Sequence, residues 1–144
     1  MRPTLLTLLI VLGAAASAGG DEPVRLEVVV NSACPATSIT RTELSRLFLK
    51  KSSSWAGGDT ALPVDQPEGS PLREEFARSV HRRSTAALRA YWQQEIFSGH
   101  EVPPPEKAGD AELLEFVAAR RSAIGYVTAG SIRKGVKVLP VVDG

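Results

Sequence analysis

The run Val28-Val29-Val30 constrains the fold more than any other feature of the chain. The strand that contains it, Val24-Arg25-Leu26-Glu27-Val28-Val29-Val30, alternates apolar and charged residues at first and then turns wholly apolar. Successive side chains of a strand point to opposite faces, so an unbroken apolar run needs cover on both. The chain that follows alternates helical and strand-like segments, the pattern of an α/β sheet with helices on its faces. Cys34 is the single cysteine, so no intramolecular disulfide is available and the fold must rest on its core. A buried inert thiol, a free thiol and an intermolecular bridge all remain open for Cys34.

After a polar loop from Asn31 to Ser38, Thr40-Arg41-Thr42-Glu43 has the form of a capping box. Ile39 and Leu44 sit at the two positions of a hydrophobic staple, so two independent devices mark one helix start. Leu44, Leu47 and Phe48 form the apolar stripe of that helix, and Lys50 and Lys51 lie near its end, where positive charge suits the dipole. Trp55 lies in a turn-rich connector, either folded back over the core or offered as a ligand platform. Ala61-Leu62-Pro63-Val64 reads as a short strand, and Pro63 places it at a sheet edge or a strand start.

The stretch Asp65-Gln66-Pro67-Glu68-Gly69-Ser70-Pro71-Leu72-Arg73 runs from that strand through a loop into a second helix. Ser70 is a good N-cap and Pro71 suits the first helical position. Free backbone N–H groups and the positive end of the dipole then face the loop, which makes an anion site or simply a helix start. Arg73 lies in the first turn, where a cation opposes the dipole, and that is easier to understand if it holds a partner or a ligand. Leu72, Phe76 and Val80 face inward, and Glu74 can pair with Arg78 one turn on.

Ser84 caps a further helix with Leu88, Tyr91, Trp92 and Ile96 on one side, closed by Gly99. Val102-Pro103-Pro104-Pro105 is a stiff extended loop. Asp110 is read as the cap of the last helix, which carries Leu113, Leu114, Phe116 and Val117. Gly125, inside the strand Ile124-Gly125-Tyr126-Val127, points to a close backbone approach. Val136-Lys137-Val138-Leu139 is the final strand, limited by Pro140.

The N-terminus reads differently. Arg2 gives a short positive region, Leu5 to Ala16 an apolar run too short to span a bilayer comfortably, and Ala16-Ser17-Ala18 a small-residue cleavage pattern. Residues 1–18 are therefore expected to be a secretory signal peptide, cut after Ala18, with residues 19–144 one exported, periplasmic domain. An uncleaved anchor is the alternative. Removing one Arg leaves 16 basic residues (17 − 1) against 16 acidic ones, which gives no general electrostatic reason to bind nucleic acid or a membrane. His81 and His100 stand far apart with no neighbouring ligand pattern, so no metal site and no cofactor are expected.

A succession of motifs now resembles a known family. Val28-Val29-Val30-Asn31 enters a loop, Thr42-Glu43-Leu44-Ser45-Arg46-Leu47-Phe48-Leu49-Lys50-Lys51 leads to Trp55, and Gly69-Ser70, Phe76, Tyr91-Trp92 and Ala123-Ile124-Gly125-Tyr126-Val127 follow. It is similar to the phosphate-binding proteins of phosphate ABC transporters, in the periplasmic type II solute-binding fold. The resemblance covers nearly the whole mature chain but matches one of the family's two lobes. It implies an α/β fold with a central mixed sheet flanked by helices, a single lobe.

The resemblance also implies a ligand loop, in altered form. Ser70 matches the family's Ser, while Pro71 stands for its Gly, Leu72 for its Thr, Gln66 for its Arg, and Lys50 for the Gly after Phe-Leu. Arg121-Ser122 stands for Pro-Gly before the last motif. The candidate ligand-binding residues are Ser70, Leu72, Arg73, Gln66 and Asn31, with phosphate or a similar oxyanion as a weakly held ligand. Two other readings compete: a periplasmic interaction module that kept the fold and lost the ligand, meeting a transporter partner, or a homodimer that completes a cleft from two copies. An enzyme is the weakest, since Gly69-Ser70-Pro71 lacks the Gly-x-Ser-x-Gly nucleophile elbow.

Overall fold

A computed structural model describes residues 23–55 and 58–144. The expected signal peptide lies outside the described residues. Four strands form the main sheet: β1 (Leu26–Asn31), β3 (Leu62–Pro63), β4 (Ala123–Thr128) and β5 (Val136–Val138), in the order β3-β4-β1-β5. β1 runs antiparallel to both neighbours, with Val28 opposite Tyr126 and Val29 opposite Val138. β3 runs parallel to β4, so the sheet is mixed. Pro63 sits on the edge strand, where its missing N–H leaves no ladder bond open. A parallel pair, β2 (Ile39–Thr40) with β6 (Val141–Val142), ties the C-terminal segment to the start of the first helix; neither strand was expected from the sequence.

The apolar run of β1 divides between the two faces, as its pattern requires. Val28 and Val30, with Ile124 and Tyr126, meet Leu44, Leu47 and Phe48 of α1 (Arg41–Phe48) and Phe76 of α2 (Pro71–Phe76). Val29 and Val127 meet Leu113, Leu114 and Val117 of α4 (Asp110–Ala119) on the other face. The first core is aromatic: the Phe76 ring stacks on Tyr126 with centroids 4.0 Å apart and tilts against Phe48 at 4.7 Å. Trp55 folds back against this cluster, half-buried.

The capping box forms as read, with Thr40 Oγ1 accepting from Glu43 N and Glu43 reaching back to Thr40 N. Ile39 and Leu44 share one core cluster, as a staple should. Gly125 marks a close approach of two layers: a Cβ there would stand 2.7 Å from Leu113 Cδ2 and 3.0 Å from Val64 Cγ1.

Several local expectations need correction. Asn31 closes β1 rather than opening the loop. α2 passes at Ala77 into a π-helical turn, Ala77–His81, that ends at Arg82 in left-handed backbone, φ 55°. Arg78 pairs with Glu75, its Nε 3.0 Å from Oε2, not with Glu74. α3 (Thr85–Phe97) is capped by Ser84 as expected, but it buries only Leu88 and Trp92; Ile96 is 54% exposed because the helix outruns the core beneath it. Asp110 is the first residue of α4, with Gly109 before it, so its carboxylate is free for other partners.

Candidate functional site

An open cleft of ≈ 950 Å³ lies where β4 ends and β1 begins, lined by Arg25, Gln66, Ser70, Leu72, Asp110 and Thr128 among others. β3 and β4 run parallel into this end of the sheet, and α2 and α4 both begin there. The carboxyl ends of parallel strands are where open α/β sheets present helix N-termini to ligands.

The start of α2 is nearly spent on itself. Ser70 Oγ accepts from Arg73 N at 3.2 Å, and Ser70 O accepts from Glu74 N at 3.1 Å. Pro71 has no N–H, which leaves the Leu72 amide as the donor of the first turn with no acceptor among the described residues. The start of α4 is more open, since no side chain caps it. Its N-terminal amides and the α2 amide of Leu72 border the same cleft.

Gln66, 3% exposed, uses its side-chain amide to hold the cleft floor together. Its Nε2 donates to Asp110 Oδ1 and to Tyr126 O, each at 2.9 Å. Asp110 also lies 3.4 Å from Thr128 N, so one carboxylate faces the cleft beside Arg25.

Arg73 turns below this surface. It donates to Gln66 O at 3.0 Å and to Glu106, and its Nε stands 3.8 Å from Asp65 Oδ2. Burial opposes its charge, but Asp65 and then Glu106 outweigh that and raise its pKa further. Asp65 in turn accepts from the Tyr126 hydroxyl and from Gln66 N. Burial pushes the Asp65 carboxyl up from its usual range, against the pull of Arg73, Tyr126 and Gln66. Arg73 therefore does hold a partner, as a first-turn cation suggested, and the partner is a buried carboxylate rather than open solvent.

The structure thus brings Gln66, Ser70 and Leu72 to one cleft, puts Arg73 directly beneath it, and sets Asn31 apart. Asn31 Nδ2 donates to Val117 O and Ala118 O, both at 3.0 Å, closing the C-terminal end of α4. The cleft is at the other end of that helix, roughly 15 Å away at 1.5 Å per residue. Arg25 and Thr128 were not singled out from sequence, and Asp110 was read only as a helix cap. A lone cation in a strand, a helix-start Asp and a strand-end Thr carry no spacing signal that would have found them.

A mixed sheet with helices on both faces is the fold of one lobe of a type II periplasmic binding protein. No family model matches the chain, and no curated protein matches it. Solved structures do. An ABC-type phosphate transport receptor from Vibrio cholerae matches with TM-score 0.64 at 21% identity, over 81% of this chain and 45% of that one. PstS from Borrelia burgdorferi matches with TM-score 0.64 at 16% identity, over 82% and 47%. A protein from Clostridium perfringens, solved with bound phosphate, matches with TM-score 0.65 at 18% identity, over 81% and 44%. The chain spans less than half the length of these structures.

Among the described residues no helix is long and apolar enough to cross a membrane, and no group of three or more His, Cys, Asp or Glu is placed to hold a metal ion.

Proposed function

We propose that the chain is an exported solute-binding domain that holds phosphate or a similar oxyanion weakly in the cleft between the starts of α2 and α4. The observation that carries this reading is the meeting of two helix N-termini on one open cleft, with the Leu72 amide and the uncapped end of α4 as donors. Arg25 adds an exposed cation. The fold shared with a phosphate transport receptor and with a phosphate-bound structure supports the choice of ligand. A single lobe leaves the anion open to water, and Asp110 sets a negative charge beside it, so a Kd on the order of 1 mM, about −4 kcal/mol, is expected.

Binding rather than catalysis fits the side chains. Ser70 Oγ is engaged with Arg73 N, while the two histidines bond other serines, His81 to Ser45 at 2.8 Å and His100 to Ser98 at 3.1 Å. Burial, then the nearby cations, pushes His81 down to about 4, so it is a poor base at neutral pH.

Calorimetric titration of residues 19–144 with phosphate, then sulfate, at low salt tests this. Saturable heat that Ser70→Ala reduces supports it; no heat at several-fold above millimolar phosphate overturns it. The second reading, an interaction module in which the ligand site has lapsed, draws on the internal use of Arg73 by Asp65 and Glu106. Its mark is a partner that co-purifies with the intact protein and ignores phosphate.

A further inference from the structure

The charges of residues 19–144 balance in number but not in place. Arg41, Lys50, Lys51, Arg82 and Arg83 gather where α1 and the segment after it meet the end of the π-helical turn. None of them takes part in an ion pair among the described residues, whereas Arg73, Arg78 and Arg89 are matched by Asp65 and Glu106, by Glu75 and by Glu68. Glu43, the one acid on α1, is occupied at the helix start by Thr40 N.

Contacts place Arg41 against the π-helical turn and Lys51 beside Tyr91. Arg41 Nη1 donates to Val80 O at 2.7 Å, and Ser45 Oγ bonds His81 Nδ1 at 2.8 Å. Tyr91 donates to Leu49 O at 2.7 Å, and Lys51 Nζ lies 5.7 Å from the Tyr91 ring centroid. Besides its burial, His81 feels Arg83, Arg41, Arg73 and Lys51, so the field of this face reaches inward.

The backbone makes the same point independently. Lys50, φ 58°, and Arg82, φ 55°, are the non-glycine residues with positive φ among the described residues. Left-handed backbone disfavours any residue with a Cβ, and glycine is the easy choice there. Both positions carry a cation instead, Lys50 just past the end of α1 and Arg82 at the end of the π-helical turn. Local strain that persists is a sign of use.

We propose that this basic face docks a carboxylate-rich protein surface. Arg and Tyr on a rigid support are what such interfaces favour, and complementary charge sets their specificity and on-rate. An anionic bilayer fits less well, because surface binding gains from apolar side chains that insert. The exposed apolar residues Ile96, Phe97 and Val102 lie at the far end of α3 and beyond it, and Val138, Val141 and Val142, which border Arg41, sit on β5 and β6 in a groove that also holds the Asp143 carboxylate.

Amide NMR of the protein titrated with poly-L-glutamate at low salt tests the proposal. The expected result is movement of the Lys50, Lys51, His81, Arg82 and Arg83 signals, with affinity falling about tenfold or more between roughly 20 and 200 mM salt. Lys51→Glu/Arg82→Glu/Arg83→Glu should abolish it. Arg82→Gly should weaken it about threefold while raising Tm by about 2–5 °C, because the left-handed turn is relieved. Ser70→Ala should leave it unchanged, which separates this face from the anion cleft. No response, shifts confined to Arg120–Arg121 or Arg133–Lys134, or a response to phosphatidylglycerol vesicles in place of poly-L-glutamate would overturn the proposal.

Discussion

The Tyr126 hydroxyl donates to the Asp65 carboxylate across 61 positions of chain, and this bond joins the middle of the sheet to the floor of the cleft. The same ring stacks on Phe76, so one side chain serves the core and the polar network together. Tyr126→Phe keeps the ring and the stack but removes a donor from a buried carboxylate. An unsatisfied buried acceptor costs about 1–3 kcal/mol. Thermal unfolding should show Tm lower by roughly 3–8 °C, and an unchanged Tm would mean that the bond contributes nothing net.

His81 makes stability depend on pH. Its folded pKa, about 4, lies below the usual 6.5, first through burial and then through Arg83, Arg41, Arg73 and Lys51. The unfolded chain then binds the proton more tightly, so the stability this residue contributes is present above pH 6.5 and is lost as pH falls toward 4. The full effect is on the order of 3 kcal/mol. Asp65 acts in the opposite sense, since its raised pKa gives stability on the acid side that fades as pH rises through its folded value. Comparing His81→Gln with the unaltered protein by urea unfolding at several pH values isolates the histidine: the variant should lose less stability than the parent between pH 6.5 and 4.

Gly125 should tolerate no side chain. A Cβ at 2.7 Å from Leu113 Cδ2 would push α4 off the sheet or force Leu113 off its rotamer. Overpacking of this kind costs about 1–3 kcal/mol. Chemical denaturation of Gly125→Ala should show that loss, and Gly125→Ala/Leu113→Ala should recover part of it relative to Leu113→Ala alone.

Trp55 carries a flaw that can be removed. Its Nε1 is buried and has no hydrogen-bond partner among the described residues. Trp55→Phe keeps most of the ring against the core and deletes the stranded donor, so the lost area and the relieved penalty should nearly cancel. Denaturant midpoints within about 0.5 kcal/mol of the parent are expected; a larger loss would mean that the indole packs better than its hydrogen bonding suggests.

What could be read from sequence follows how local the physics is. The capping box at Thr40, the cap at Ser70 and the edge position of Pro63 involve neighbours in sequence, and each formed as read. The apolar run of β1 required two covered faces and has them. The partner of Arg73 was not legible, because Asp65 and Glu106 reach it through the fold. Asn31 shows the same limit: its place beside a loop suggested a ligand, and its amide closes a helix 86 positions away. The exposed end of α3 escaped for another reason, since helical spacing says which residues share a face but not how far the core beneath extends.

The strand order has a consequence for how the chain is made. β1 precedes the other strands of its sheet in the chain, yet its partners are residues 124–128 on one side and 136–138 on the other. Until residues 124–138 have emerged, the apolar strand lacks both of these neighbours and stays a hazard for self-association. Such non-local pairing slows folding. Assembly of the sheet must therefore wait for β4 and β5, and a nascent chain cut short before β4 should aggregate rather than form a partial domain.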